Sequence, residues 1–260
     1  MKNKVFRLIS ALMIVICIIG AYGVIFGSSR VKAAQRRIER EILREQRRIE
    51  AERQAALEEQ ARLRAEREAQ RQRYIEEISC WNGYKTPSDI LITGVGDSVM
   101  VSCYDALCQK FPNGYFDAKF GRRISAGTSV LKNLADSGSL GDVVFLSLIT
   151  NYSADITKDQ VEELVKICDG RPVFFTTAYG INNQSSNNII YELAEEYDNV
   201  YIVNWREYAS GHPEWILEDG LHPNKEGARA YAQLLYDRIY ESLFPTREEI
   251  DKMIEDKYAD

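Results

Sequence analysis

Ser98 stands in Leu91-Ile92-Thr93-Gly94-Val95-Gly96-Asp97-Ser98-Val99-Met100, a serine delivered at the end of an apolar run through two glycines that permit a tight turn. A serine hydroxyl attacks a carbonyl only when a base takes its proton, and that base needs an acid to hold its tautomer and stabilise the imidazolium. The chain has two histidines. One of them, His222, follows Asp219 by three residues in Glu218-Asp219-Gly220-Leu221-His222-Pro223-Asn224. Taken together, Ser98, Asp219 and His222 can carry acyl transfer through a covalent serine intermediate. Taken alone, Asp219 to Asn224 reads equally well as a polar turn capping the helix after it, with His222 near the surface.

Such chemistry also needs donors for the oxyanion of the tetrahedral intermediate. Gly121, in Phe120-Gly121-Arg122-Arg123, can offer a backbone N–H, and Asn151, in Ile149-Thr150-Asn151-Tyr152, a side-chain amide. Each has a plainer reading, Gly121 as a turn glycine and Asn151 as a cap or turn former. Ser98 itself adds a backbone N–H if it opens a helix, where the dipole favours a developing negative charge. A dinucleotide turn is a poor alternative for Gly94-Val95-Gly96, because the third glycine is missing and Asp117 lies inside its strand. No Gly-Lys-Ser/Thr follows to make a phosphate loop.

The elements that must position these residues are legible as alternation. Strand-like runs at 90–95, 115–120, 142–149, 172–178 and 200–204 are separated by helical patterns near 98–111, 127–137, 157–168 and 185–197, and a long helix closes at 224–243. This predicts a three-layer α/β/α sandwich with a five-stranded parallel sheet, whose ligands bind beyond the carboxyl ends of the strands. Ser98, Gly121 and Asn151 each follow a strand, and His222 precedes the closing helix.

Over about residues 90–242 the pattern resembles the SGNH family of GDSL-like hydrolases, whose four blocks carry Ser, Gly, Asn and His. The resemblance implies Ser98 as nucleophile, His222 as base and Asp219 as its orienting acid. The oxyanion hole would be the N–H groups of Ser98 and Gly121 with the Asn151 side chain. Within that family, Gly-Asp-Ser-Val-Met, Gly-Arg-Arg and the run from His212-Pro213-Glu214-Trp215 to Gly227 look most like the extracellular domain of Gram-positive peptidoglycan O-acetyltransferases. The third block departs from that pattern: Ile149-Thr150-Asn151-Tyr152 stands where those proteins read Gly-Thr-Asn-Gly. The expected substrate is a glycan or another small acyl ester, with no metal or organic cofactor. Arg122, Tyr152 and Trp215 are candidate substrate contacts, Trp215 being open between stacking on a sugar and packing. His212 reads as a loop residue. The other function considered is an inactive domain of this type in a membrane-anchored envelope scaffold.

Charge is uneven along the chain. Residues 1–78 carry 17 Lys and Arg against 11 Asp and Glu, leaving 16 against 28 of the totals of 33 and 39 for the remainder, a net of −12. So acidic a globular part lacks the cationic face that nucleic acid requires. Residues 8–26 hold no charge and are long enough to span a bilayer, after Lys2, Lys4 and Arg7. An uncleaved anchor is expected there, the alternative being a signal peptide cut near Ala34. Either way residues 34–260 are exported. The expected organisation is a cytoplasmic stub and anchor (1–34), a charged helical spacer or weak coiled coil (35–79), the hydrolase-like or acyltransferase-like domain (80–245) and a helical tail (246–260). At 1.5 Å per residue the spacer reaches about 65 Å. Those transferases commonly carry a multi-span domain that delivers the acetyl group, and with room for one span here a separate membrane-embedded protein would supply the donor, or the domain works simply as an esterase. Cys17, Cys80, Cys103, Cys108 and Cys168 match no zinc spacing. A bridge from Cys80 is left open.

Overall fold

The computed structural model describes residues 29–151 and 153–259, together with Ile14, Cys17, Ile18 and Ala21. Tyr152 and, those four positions apart, the apolar segment 8–26 lie outside the described residues. Among the described residues no helix is long and apolar enough to cross a membrane. The chain divides into two compact units, residues 1–73 and 74–260.

Helix α1 (Ser29–Ile78) has neither glycine nor proline. Pairs such as Glu45–Arg48 at 2.7 Å and Arg48–Glu52 at 3.6 Å run along it. Exposed pairs of this kind contribute only about 0.3–0.5 kcal/mol each. The helix therefore owes its length to the propensity of Ala, Arg, Glu and Gln. Leu43, Leu57 and Leu63 stand about half exposed along it.

In the second unit, β1 (Ile92–Gly96), β2 (Tyr115–Ala118), β3 (Val143–Ser147), β4 (Val173–Thr176) and β5 (Val200–Val203) form one parallel sheet in the order β2-β1-β3-β4-β5. Every residue of β1 and β3 is buried, which is why these strands read as continuous apolar runs rather than alternating ones. Successive side chains of β3 feed opposite layers. Val143 and Phe145 pack with Met100 and Leu107 of α2 (Ser98–Lys110), Trp205 of α6 (Trp205–Ser210) and Tyr231 of α7 (Lys225–Leu243). Val144 and Leu146 pack with Leu131 of α3 (Ile124–Asp136), Leu164 of α4 (Lys158–Ile167) and Ile190 of α5 (Gln184–Glu196). The order reverses direction at β1, so the crevice of this sheet lies at the carboxyl ends of β1 and β3.

The glycines of β1 serve packing, not a turn. Neither has a positive φ. A Cβ on Gly94 would lie 2.3 Å from Phe116 Cδ1, and one on Gly96 would lie 2.4 Å from Met100 Cβ. They let β2 and the first turn of α2 close directly onto β1. At the far end, α8 (Arg247–Tyr258) is capped by Thr246, with Glu249 returning to the Thr246 N–H. The Tyr74 ring meets Tyr258 edge-on at 6.1 Å and lies 3.4 Å beneath Lys257 Nζ, which ties the last turn of α1 to this unit.

Candidate active site

Asp97 converts the end of β1 into the start of α2. Its N–H donates to Ser147 O of β3 at 2.8 Å, and its Oδ1 accepts from Val99 N–H at 3.0 Å. Ser98 is thereby the first residue of the helix and is 5% exposed. The Asp97 carboxyl is wholly buried, and burial pushes it up to about 6 against the opposing pull of the Val99 N–H and the Thr150 polar groups. Its Oδ2 has no partner at hydrogen-bond length, so the Thr150 contacts are too weak to offset the desolvation. Asp97 as a cap is readable from an aspartate directly before a helix. Its depth beside Ser98 is not.

His222 approaches Ser98 from the loop before α7. Its Nε2 lies 2.8 Å from Ser98 Oγ, and its Nδ1 lies 2.7 Å from Asp219 Oδ2. The other Asp219 oxygen accepts the N–H groups of Leu221 at 2.9 Å and His222 at 3.0 Å. The His222 backbone N–H, then its ring, hold the Asp219 carboxyl down at about 2. An ionised Asp219 selects the tautomer with its proton on Nδ1, leaving the Nε2 lone pair for the Ser98 hydroxyl. The three residues that the sequence singles out for proton transfer are therefore brought into one hydrogen-bonded line.

Asn224 seats this loop. Its Oδ1 caps α7 by accepting from Glu226 and Gly227 N–H, each at 3.0 Å. Its N–H donates to Trp215 O at 2.8 Å, and its Nδ2 donates to Glu214 O at 2.6 Å. Leu217 N–H closes the loop onto His222 O at 2.9 Å. Trp215 belongs to this support. Its ring stacks on His212 with centroids 3.7 Å apart and lies parallel to Trp205 at 6.4 Å. Of the two readings left open for Trp215, these ring contacts favour packing, and Trp215 also lines a cavity of about 530 Å³ with Tyr208 and Arg229.

Gly121 and Asn151 follow β2 and β3, the two neighbours of β1. Gly121 has φ +65°, a conformation that favours glycine, and a Cβ there would meet nothing within 4 Å. Asn151 is half-buried, and its Nδ2 donates to Arg122 O at 3.4 Å. Arg122 was expected at the substrate; instead it is 7% exposed and turns beneath the loop, held by Asp117 and by the main chain. Beside His222, a groove of about 690 Å³ between α2 and α7 is lined by Ser102, Asp105, Gln109, Leu217, Pro223 and Arg229.

All five cysteines are unbridged, Cys80 included. Burial pushes the Cys168 thiol up to about 12 and also raises Cys103, so both behave as inert core residues. Among the described residues, no three His, Cys, Asp or Glu side chains converge in a way that would hold a metal.

Over 144 residues the chain is 33% identical to the O-acetyltransferase OatA of Staphylococcus aureus, an alignment covering 54% of this chain and 24% of that protein. The matched stretch is thus about a quarter of the length of such curated relatives. Among solved structures, the C-terminal catalytic domain of Streptococcus pneumoniae peptidoglycan O-acetyltransferase A aligns with a TM-score of 0.53 at 22% identity, covering 59% of this chain and 94% of that domain. The psychrotrophic esterase EstA of a Pseudoalteromonas species aligns with a TM-score of 0.50 at 15% identity, covering 59% and 98%. No family model matches. The chain is therefore homologous to OatA over this stretch, and its second unit has the α/β fold of SGNH hydrolases.

Proposed function

We propose that this protein transfers or hydrolyses small acyl groups, most simply acetyl, on a peptidoglycan glycan through an acyl-enzyme on Ser98. The observation that carries this reading is the line Ser98 Oγ, His222 Nε2, His222 Nδ1, Asp219 Oδ2, with contacts of 2.8 and 2.7 Å. His222 takes the Ser98 proton as Oγ bonds to the ester carbonyl carbon, and the carbonyl electrons pass to the oxyanion. The N–H groups of Ser98 and Gly121 and the Asn151 amide would receive that charge. Collapse expels the alkoxide, which takes the proton from His222. Water or a sugar hydroxyl, deprotonated by His222, then attacks the acyl carbon and frees Ser98.

The homology to OatA supports peptidoglycan as the surface acted on. Residues 8–26 would anchor the chain in the cell membrane with the domain outside, and a membrane-embedded partner would deliver the acyl donor. A fluorophosphonate probe tests the mechanism: Ser98-dependent labelling is expected, and its absence from folded wild-type protein favours the inactive scaffold. Turnover of an acetyl ester with and without a glycan acceptor separates the two activities. Faster release with an acetylated glycan product means transfer.

A further inference from the structure

Arg122 touches each of the three segments that would supply the oxyanion donors. Its Nη1 donates to Gly96 O at 3.1 Å, two residues ahead of Ser98, and to Asp117 O of β2 at 2.6 Å. Its Nη2 pairs with Asp117 Oδ1 at 2.5 Å. It directly follows Gly121, and its own N–H donates to Lys119 O at 3.3 Å across that turn. Its carbonyl accepts one hydrogen of the Asn151 amide at 3.4 Å. A primary amide has a second hydrogen, which this leaves for another acceptor. The Arg122 side chain is 6% exposed, so burying its charge carries a desolvation cost that only a full set of acceptors offsets.

We propose that Arg122, anchored by Asp117, is a positioning residue for the oxyanion hole. Its planar fork fixes the end of β1 against the end of β2, and so the Ser98 N–H against the Gly121 N–H. Its carbonyl orients Asn151. Lysine cannot reproduce this, because one ammonium lacks the two-pronged geometry. The inference rests on the acyl-enzyme reading above.

The test uses the full chain with an aryl acetate and a boronic acid that forms a tetrahedral adduct on the serine. Arg122→Ala should lower kcat about 10²-fold, the scale expected when donors shift by about 1 Å, with KM within about twofold. Boronate affinity should fall by the same factor, whereas a loss of folded fraction would leave the affinity of the remaining molecules unchanged. Added guanidinium should restore kcat in Arg122→Ala and not in Ser98→Ala. Arg122→Lys should resemble Arg122→Ala. Unchanged kcat and boronate affinity in Arg122→Ala, or full activity in Arg122→Lys, overturns the proposal. If Arg122→Ala does not fold, Asp117→Asn takes its place, with about a tenfold loss in both quantities expected and no loss in either counting against the role. Wild-type protein without Ser98-dependent labelling identifies failure of the acyl-enzyme reading itself, and this inference falls with it.

Discussion

Two carboxylates lie within reach of Ser98 and His222, and their environments drive them in opposite directions. Asp219 has a side chain 48% exposed and accepts two N–H groups as well as the imidazole, which lower it to about 2. Its depressed value contributes stability above its unfolded pKa that is lost only as pH falls through about 2, so it stays charged wherever the protein works. Replacing it by Asn should cost about 10²–10⁴-fold in kcat by favouring the wrong tautomer. The lower end is expected because solvent screens so exposed a group. Undiminished turnover of an acetyl ester would remove Asp219 from the mechanism. Asp97 shows the reverse sign. Burial raises it to about 6, above its unfolded value, so its contribution is fully present below about pH 4 and is lost as pH rises through 6. The shift bounds that loss at about 3 kcal/mol. Asp97→Asn keeps a capping oxygen and removes the titration, so the fall in Tm between pH 4.5 and 8 should be several degrees smaller than in wild type. An identical fall in both would show that the carboxyl is better solvated than its burial implies. The sequence placed Asp97, Asp219 and Arg122 near the site by their neighbours. It was silent on which of them face inward, since that depends on the ends of β2 and β3, which are remote in the chain.

At the scale of elements, α2 sits on β1 because glycine leaves room for it. On Gly96 a Cβ would fall 2.4 Å from Met100 Cβ, an atom fixed by the helix rather than the end of a flexible chain. Gly96→Ala must therefore push α2, and Ser98 with it, off the strand. Overpacking of this kind costs about 1–3 kcal/mol. The expected result is a lower Tm together with a loss of kcat beyond the loss of folded protein, and a variant of normal Tm and activity would contradict the close contact. The strands were readable from sequence because both faces of β1 and β3 are buried. The reason for the glycines was not, because a turn and a tight helix approach call for the same residue. The six-residue α6 escaped notice because it is too short for a helical period to emerge, although Asn204 caps it by accepting from Glu207 N–H.

For the whole molecule, the consequence lies in where the folded unit starts. A change of composition at Trp81-Asn82-Gly83 suggests a boundary near residue 80, since the helix before it is uniformly charged. Contacts divide the chain before residue 74, and Tyr74 lies against Tyr258 and Lys257 of the terminal helix. The helical tail expected at 246–260 is α8, and its last turn meets Tyr74, a pairing invisible to a reading that takes segments in chain order. An aromatic edge contact and a cation over a ring contribute about 1–2 kcal/mol together. For a unit of this size that corresponds to roughly 2–8 °C in Tm. A fragment of residues 74–260 should therefore melt several degrees above one of residues 80–260. Both should hydrolyse a soluble acetyl ester with the same kcat/KM, because Ser98, Asp219 and His222 are held by β1, α2 and the loop before α7. Equal melting temperatures would show that the Tyr74 contact adds nothing. A loss of activity in the longer fragment relative to the full chain would give the charged helix a part in the chemistry.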